Sequence, residues 1–165
     1  MKSYGQLWER VASPENLSAA LGRVMKGRGA KRDVAAFAAR REEELAALRA
    51  DLLSGAWRPG PYGQFRLTDP KPRTISCAPV RDRVAHHALC GVIAPLLEMG
   101  FSEDCYACRV GKGTHRAAAR ARELVRRNAW ACKLDIRHYF DSVPHDRLLE
   151  LLLPIFREKE VCRMI

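Results

Sequence analysis

The sequence has 165 residues, of which 47% are hydrophobic, which is typical of one folded domain or two small lobes and excludes a fully disordered chain. Lysine and arginine number 29 against 19 aspartate and glutamate, giving a formal net charge of +10 that is spread along the chain. This charge favours a polyanionic partner; the alternative is a basic protein that attracts anions without a specific role. No apolar run is long enough to span a membrane and the N-terminus lacks the apolar core of a secretory signal, so the sequence predicts a cytoplasmic protein without a membrane partner.

The first part of the chain is predicted to be helical. Ser13 is a cap-type residue and Pro14 suits the first helical position, and Leu17, Leu21 and Val24 then recur at helical spacing as far as residues 27–29. Residues 31–53 are rich in alanine, glutamate, arginine and leucine and predict a second, longer helix that the Ser-Gly pair at 54–55 ends. Residues 1–56 are therefore predicted to form a basic helical N-terminal extension.

The prolines and glycine of residues 57–61 indicate a domain boundary, because they favour an extended or turning chain. Residues 62–67 and 73–77 predict a β-hairpin with Lys71 and Arg73 near its tip. Residues 80–99 predict a helix that Pro95 bends or interrupts. Residues 101–113 are expected to be irregular, and a basic helix capped by Thr114 is expected to follow, ending near residue 128.

The last part of the chain predicts a strand at residues 130–136 and then a helix that starts at Pro144 and stops at Pro154. Asp135 lies at the end of this strand. A carboxylate in that position suits a hard divalent cation, although a lone aspartate after a strand is more often a turn residue. Two-metal phosphoryl transfer needs carboxylates from more than one segment, which Asp135 alone does not supply.

The six cysteines are irregularly spaced and are expected to be reduced thiols. Cys105 and Cys108 have the spacing of half a zinc site, but no second pair of ligands follows, so the sequence does not predict zinc.

Several blocks of the sequence occur together and in order. They are LSGAWRPGPY at 53–62, PKPRTIS at 70–76, APVRDRVAHHAL at 78–89, YACRVGKGTH at 106–115 and KLDIRHYFDSVPH at 133–145. These blocks resemble those of bacterial reverse transcriptases related to group II intron proteins, and most closely the enzymes of diversity-generating retroelements. The resemblance covers about residues 4–153 and implies an RNA-directed DNA polymerase.

The fold that the resemblance implies is α+β: the fingers and partial palm of a right-hand polymerase, preceded by the helical extension. Residues 57–128 would form the fingers and residues 129–165 the start of the palm. The last block resembles the first metal-binding box of such an enzyme. The paired-aspartate box, the rest of the palm and the thumb are expected further along the polypeptide, so the 165-residue chain is expected to lack polymerase activity by itself.

The resemblance also implies roles for particular residues. Lys71 and Arg73 would hold the triphosphate of an incoming deoxynucleotide, where positive charge offsets the charge that develops during phosphoryl transfer. Asp135 and the main-chain carbonyl of Ile136 would bind Mg²⁺, or Mn²⁺ in its place. Phe140 would lie beneath the sugar and reject ribonucleotides by its bulk; a core aromatic is the alternative, and Tyr139 takes the role if the register is shifted by one.

Expected contacts with the RNA template and DNA primer come from a separate set of basic side chains. They are Arg81, Arg83, Arg109, Lys112 and His115, and such phosphate contacts weaken as salt rises. Further expected partners are a retroelement accessory protein or a chain that supplies the remaining palm and thumb. The competing interpretation is a non-catalytic basic protein, the remnant of a retroelement polymerase, that binds nucleic acid.

Overall fold

The structure is a computed structural model that describes residues 4–165, with residue 141 described by its backbone alone. It confirms an α+β fold. The helices are α1 Trp8–Val11, α2 Pro14–Met25, α3 Arg32–Ala39, α4 Arg41–Ser54, α5 Val80–Glu98, α6 Thr114–Arg127, α7 Tyr139–Ser142, α8 His145–Leu152 and α9 Lys159–Met164. The strands are β1 Gly63–Leu67 and β2 Arg73–Cys77, and a 3₁₀ turn, Leu153–Ile155, follows α8.

The described residues form two compact units. The larger unit consists of residues up to Pro95 together with Leu149–Ile165, and the smaller unit is Leu96–Leu148. The boundaries predicted from the sequence, at 56/57 and 128/129, separate the extension, the fingers and the palm, which are functional parts and not compact units. These boundaries stay a prediction.

Helix α2 provides the centre of the larger unit. The Ser13 hydroxyl accepts a hydrogen bond from the Asn16 N–H at 3.2 Å, and Pro14 occupies the first turn, so the predicted start is confirmed. Its apolar side is buried as predicted; the buried residues are Leu17, Ala20, Leu21 and Val24. Helices α3 and α4 pack on α2 and on each other, which makes one core.

The prediction of a single helix over residues 31–53 is wrong, because the chain breaks at Arg40. This residue has φ −112° and ψ 26°, and its N–H bonds to the Phe37 carbonyl oxygen in a tight turn. The break lets Phe37 of α3 and Leu48 of α4 both lie in the core. Gly55 then ends α4 at φ 71°, a left-handed conformation that suits glycine.

Helix α5 joins α2 through polar contacts. The Asn16 side-chain amide donates to the carbonyl oxygens of Val11 and Ala88, each at 3.0 Å. Pro95 does not interrupt α5, which continues to Glu98. The hairpin is confirmed as an antiparallel pair in which Gly63 faces Cys77 and Leu67 faces Arg73.

The last residues of the chain pack against the first described ones. The Tyr4 N–H donates to the Ile155 carbonyl at 2.9 Å, and the Arg157 N–H donates to the Tyr4 carbonyl at 3.0 Å. Phe156 is buried, and the Glu158 carboxylate accepts hydrogen bonds from the N–H groups of Leu7 and Trp8 at the start of α1. A carboxylate at this helix start also satisfies amides that have no helical partner.

In the smaller unit, residues 101–113 contain no regular helix or strand longer than a turn, as predicted, and α6 follows. The residue that precedes α6 is Gly113, and no side-chain cap is formed, so the expected capping role of Thr114 is wrong. The predicted strand at 130–136 is also wrong: these residues have no regular structure and no backbone ladder. A strand requires a neighbour to satisfy its amides, and local sequence does not supply one.

Among the helices of residues 4–165, none combines the length and the apolar character that a membrane crossing requires.

The Glu158 contacts generate a stability prediction. Replacing Glu158 by alanine leaves two partly buried amides without their charged acceptor, so the free energy of unfolding should fall by roughly 2 kcal/mol. Urea denaturation followed by circular dichroism measures this change. Glu160→Ala is the matched control, since Glu160 is exposed and two positions away; equal unfolding midpoints for the two variants would contradict the role of Glu158.

Candidate nucleic-acid and nucleotide-binding residues

The hairpin tip presents two cations. Lys71 and Arg73 are exposed, and neither side chain forms an ion pair or a hydrogen bond with any residue in 4–165. Side chains alternate along a strand, so Arg73 shares a face with its partner Leu67, whereas Arg66 lies on the opposite face. The two cations therefore keep their hydrogen-bond donors available for an anion.

The segment around Asp135 is exposed along its whole length. Trp130 is 92% exposed, Leu134 87% and Ile136 62%. Asp135 itself is exposed and does not follow a buried strand as the sequence predicts. Apolar side chains so fully in contact with water indicate a segment that lacks its packing partner.

The residues present do not fit a complete magnesium site. The structure describes the side chains of residues 4–165 except that of residue 141. Among them, no group of three or more His, Cys, Asp or Glu side chains is placed to hold a metal. Asp135 offers a single carboxylate, whereas a two-metal centre draws carboxylates from several segments. The roles of Asp135 and Ile136 as metal ligands therefore stay predictions.

Phe140 does not lie in the core. It is 89% exposed on the short helix α7, and its ring contacts the Tyr139 ring edge to face at a centroid distance of 5.4 Å. His138, at φ 50°, turns the chain immediately before this helix. Phe140 is thus not a core residue of the described chain, and its contact with a sugar stays a prediction.

Two of the predicted phosphate contacts are held by carboxylates of the N-terminal helices. Arg81 pairs with Asp51 at 2.6 Å, and Arg83 pairs with Asp33 at 2.7 Å. Arg81 joins α5 to α4, and Arg83 joins α5 to α3. Both arginines therefore have a structural role that sequence analysis does not reveal.

The predicted contacts in the loop before α6 are also engaged. Arg109 donates to the carbonyl oxygens of Ser102 and Cys105 at 2.8 and 3.1 Å. Lys112 pairs with Glu103 at 3.1 Å and lies 5.1 Å from the centroid of the Tyr106 ring. His115, by contrast, is exposed and forms no side-chain hydrogen bond or ion pair within the described chain.

The loop is tied to helix α6 through Arg120. Its guanidinium donates to both oxygens of Asp104, at 3.0 and 3.3 Å, and to Glu123 at 2.9 Å. The hydrogen bond from Arg120 is the main cause that lowers the pKa of Asp104; burial of the carboxyl opposes it, and a hydrogen bond from Tyr106 adds to it. This contact fixes the loop next to a helix whose other arginines face solvent; these are Arg116, Arg122, Arg126 and Arg127.

Sequence analysis missed a buried carboxylate in the larger unit. Asp82 is 3% exposed and accepts a hydrogen bond from the Gly60 N–H at 2.7 Å. A side chain at position 60 would approach Pro79 within 3.2 Å, so glycine allows this close approach. Asp82 thus anchors residues 57–61 on α5, and the Trp57 ring meets His86 edge to face at 6.1 Å. The Pro-Gly-Pro sequence at residues 59–61 is the sequence signal for this close approach of the chain to Asp82.

Comparisons with known proteins give a limited result. No model of a known protein family matches the chain. Among curated proteins, it is similar to protein YkfC of Escherichia coli strain K12, with 29% identity over 119 residues. The match covers 68% of this chain and 31% of YkfC, so the chain spans about a third of that protein. The name of YkfC states no activity, and the similarity assigns neither a family nor a function.

The ion pair of Asp104 generates a pH prediction. Because its pKa is lowered in the folded state, the pair stabilises the loop above the ordinary aspartate pKa, and this stabilisation is lost as pH falls through the lowered value. An NMR titration of side-chain carboxyl carbons should show the Asp104 pKa rise in Arg120→Gln. Arg122→Gln removes the same charge from an exposed position of α6; an equal rise there would attribute the shift to the general field of the helix instead.

Proposed function

We propose that this chain forms the fingers and first palm segment of an RNA-directed DNA polymerase, similar to bacterial reverse transcriptases of the group II intron and diversity-generating retroelement type. The whole enzyme extends a DNA primer on an RNA template with deoxynucleotides and a divalent metal ion. The observation that carries the proposal is the hairpin tip, where Lys71 and Arg73 have no acidic partner among residues 4–165. The order of the sequence blocks supports it.

The hairpin suits the recognition of a triphosphate. Arg73 offers a planar fork of donors that matches phosphate oxygens, and Lys71 adds a compact charge on a flexible stem. Other arginines of the larger unit, such as Arg81 and Arg83, bind a carboxylate instead. Cations at a turn that have no acidic partner are available to bind an anionic ligand, and they do not stabilise the fold through an ion pair.

The exposed segment 130–136 supports the assignment of a palm strand that is completed elsewhere. Its apolar residues have the composition of a buried strand but no neighbouring strand among the described residues. A sheet supplied by a further part of the polymerase, in the same polypeptide or in a second chain, would satisfy its amides and cover Leu134 and Ile136. Asp135 would then meet the carboxylates that a two-metal mechanism requires.

The second candidate function is non-catalytic binding of nucleic acid. It is favoured by the exposed arginines of α6 and the net charge of +10, combined with an Asp135 that has no metal-binding neighbours among the residues described. Such a protein needs its basic surface and not its carboxylate. Asp135→Ala separates the two functions, since it leaves RNA binding intact in both cases but abolishes synthesis only in a polymerase.

The role of the hairpin predicts an effect of single substitutions on nucleotide binding. Arg73→Gln and Lys71→Gln should each weaken the binding of a fluorescent deoxynucleoside triphosphate by about tenfold, since each removes a charge-assisted phosphate contact. Equilibrium titration of the 165-residue chain measures this. Arg66→Gln is the matched control on the opposite face of the same hairpin and should change affinity by less than about twofold; equal losses for Arg66 and Arg73 would argue against a triphosphate site.

The role of Asp135 predicts the outcome of a complementation assay. The chain alone should not incorporate labelled deoxynucleotide on an RNA template, whereas mixing it with a palm and thumb chain that carries a paired-aspartate box should restore magnesium-dependent synthesis. Asp135→Ala should reduce that synthesis at least about a hundredfold, since a metal ligand acts on the transition state.

The control for this assay is Asp146→Ala, which removes an exposed carboxylate from the first turn of α8. It should retain synthesis close to that of the unaltered chain. Processive synthesis by the 165-residue chain without a complement, or full synthesis with Asp135→Ala, would refute the assigned role.

A further inference from the structure

A cavity of about 270 Å³ opens on the larger unit and is lined almost entirely by basic side chains. Its lining residues are Arg23, Val24, Lys26, Arg28, Arg83 and His87. Among the described residues, no acidic side chain lines it. We refer to it as the basic cavity; of these residues, sequence analysis predicted a phosphate contact for Arg83 alone.

The cavity is built where the end of α2 meets the first turns of α5. The Arg23 guanidinium donates to the His87 carbonyl oxygen at 3.0 Å, which holds this cation against α5. Gly91 leaves space for it, because a Cβ at this position would lie 2.7 Å from the Arg23 Nη2 atom. The position of Arg23 is therefore set by backbone contacts rather than by an opposing charge.

The positive charge around the cavity is poorly compensated. Asp33 pairs with Arg83 at 2.7 Å, but the Arg83 Nε atom is buried without a hydrogen-bond partner. Lys26 and Arg28 have no side-chain hydrogen bond or ion pair within residues 4–165. Bringing like charges together without an anion costs free energy, which a bound anion would recover.

The lowered pKa of His87 is consistent with this excess positive charge. Burial is the main cause that lowers its pKa, and electrostatic interactions with Arg23, His86, Arg83 and Arg28 lower it further. Lys26, which lines the same cavity, and Asp33, which is bound to Arg83, are further charged groups in this region. These surroundings disfavour the protonated form of His87 in the protein without a bound anion.

We propose that the basic cavity is a binding site for a phosphate group. Guanidinium groups of Arg23, Arg28 and Arg83 provide planar donors for phosphate oxygens, and Lys26 adds a further charge. The phosphate belongs either to the backbone of a nucleic-acid strand or to a free phosphate ion. The site requires neither Asp135 nor the hairpin tip, so it does not depend on polymerase activity.

The experiment compares two double variants of the 165-residue chain. Lys26→Gln/Arg28→Gln removes two cavity cations, and Lys31→Gln/Arg32→Gln removes two exposed cations of the same region that do not line the cavity. Both variants lose two positive charges, so any difference between them reports position rather than net charge. The probes are a fluorescent single-stranded RNA of 12 nucleotides and inorganic phosphate, with thermal melting as the test of folding.

Three outcomes are informative. RNA affinity reduced about tenfold or more in the cavity variant relative to the control, with a smaller dependence on salt, supports a nucleic-acid phosphate. Equal RNA affinities, with NMR shifts of His87 caused by inorganic phosphate in the unaltered chain and lost in the cavity variant, support a free phosphate. Equal behaviour of both variants with both probes would overturn the proposal.

A pH series on the RNA probe tests the same site independently. A bound phosphate raises the pKa of His87, so binding should tighten as pH falls from 7.5 to 5.5, by about threefold or more, because the protonated ring adds a cation. His87→Gln should abolish this dependence, and His86→Gln should retain it. The same pH dependence in His87→Gln would place the titrating group elsewhere and count against the proposal.

Discussion

The burial of the apolar side of α2 is the interaction on which the larger unit depends. Leu17 and Leu21 are buried, and α3 and α4 both pack on α2; this arrangement accounts for the break at Arg40, since one straight helix would not bring both segments onto α2. Two polar side chains lie on the side of α2 that faces α5. There Asn16 and Arg23 bind main-chain carbonyls of α5, which fixes the register of two helices far apart in sequence.

The many cations of this chain divide into two groups by what they contact. Some hold elements together through carboxylates or carbonyl oxygens; these are Arg81, Arg83, Arg109, Lys112 and Arg120. Others have no such partner; they include Lys71 and Arg73 at the hairpin tip and Lys26 and Arg28 at the basic cavity. An ion pair between side chains that are largely exposed adds little stability, so the first group acts chiefly by positioning. The second group leaves positive charge available for ligands. The net charge of the chain does not distinguish the two groups.

Features that depend on nearby residues were predictable from the sequence. Ser13 and Pro14 mark the start of α2, and the hairpin follows from alternation on both sides of a turn. Features that depend on distant residues were not. Arg83 and Asp33 are 50 positions apart, and Arg23 and His87 are 64 apart, so neither the ion pair nor the cavity has a local signal. The predicted strand at residues 130–136 was wrong for the same reason. Its local pattern does not specify the neighbouring strand that it requires.

The pairing of Tyr4 with Phe156 has a consequence for how the protein is made. Leu7 and Glu158 are 151 positions apart, so the larger unit cannot be completed until nearly the whole described chain has left the ribosome. Helices α1 to α5 emerge first and must wait, with part of their surface uncovered, while the smaller unit is synthesised between them and their last partner. Closing so long a loop carries an entropic cost that short-range contacts avoid, so docking of residues 149–165 should be the late step of folding.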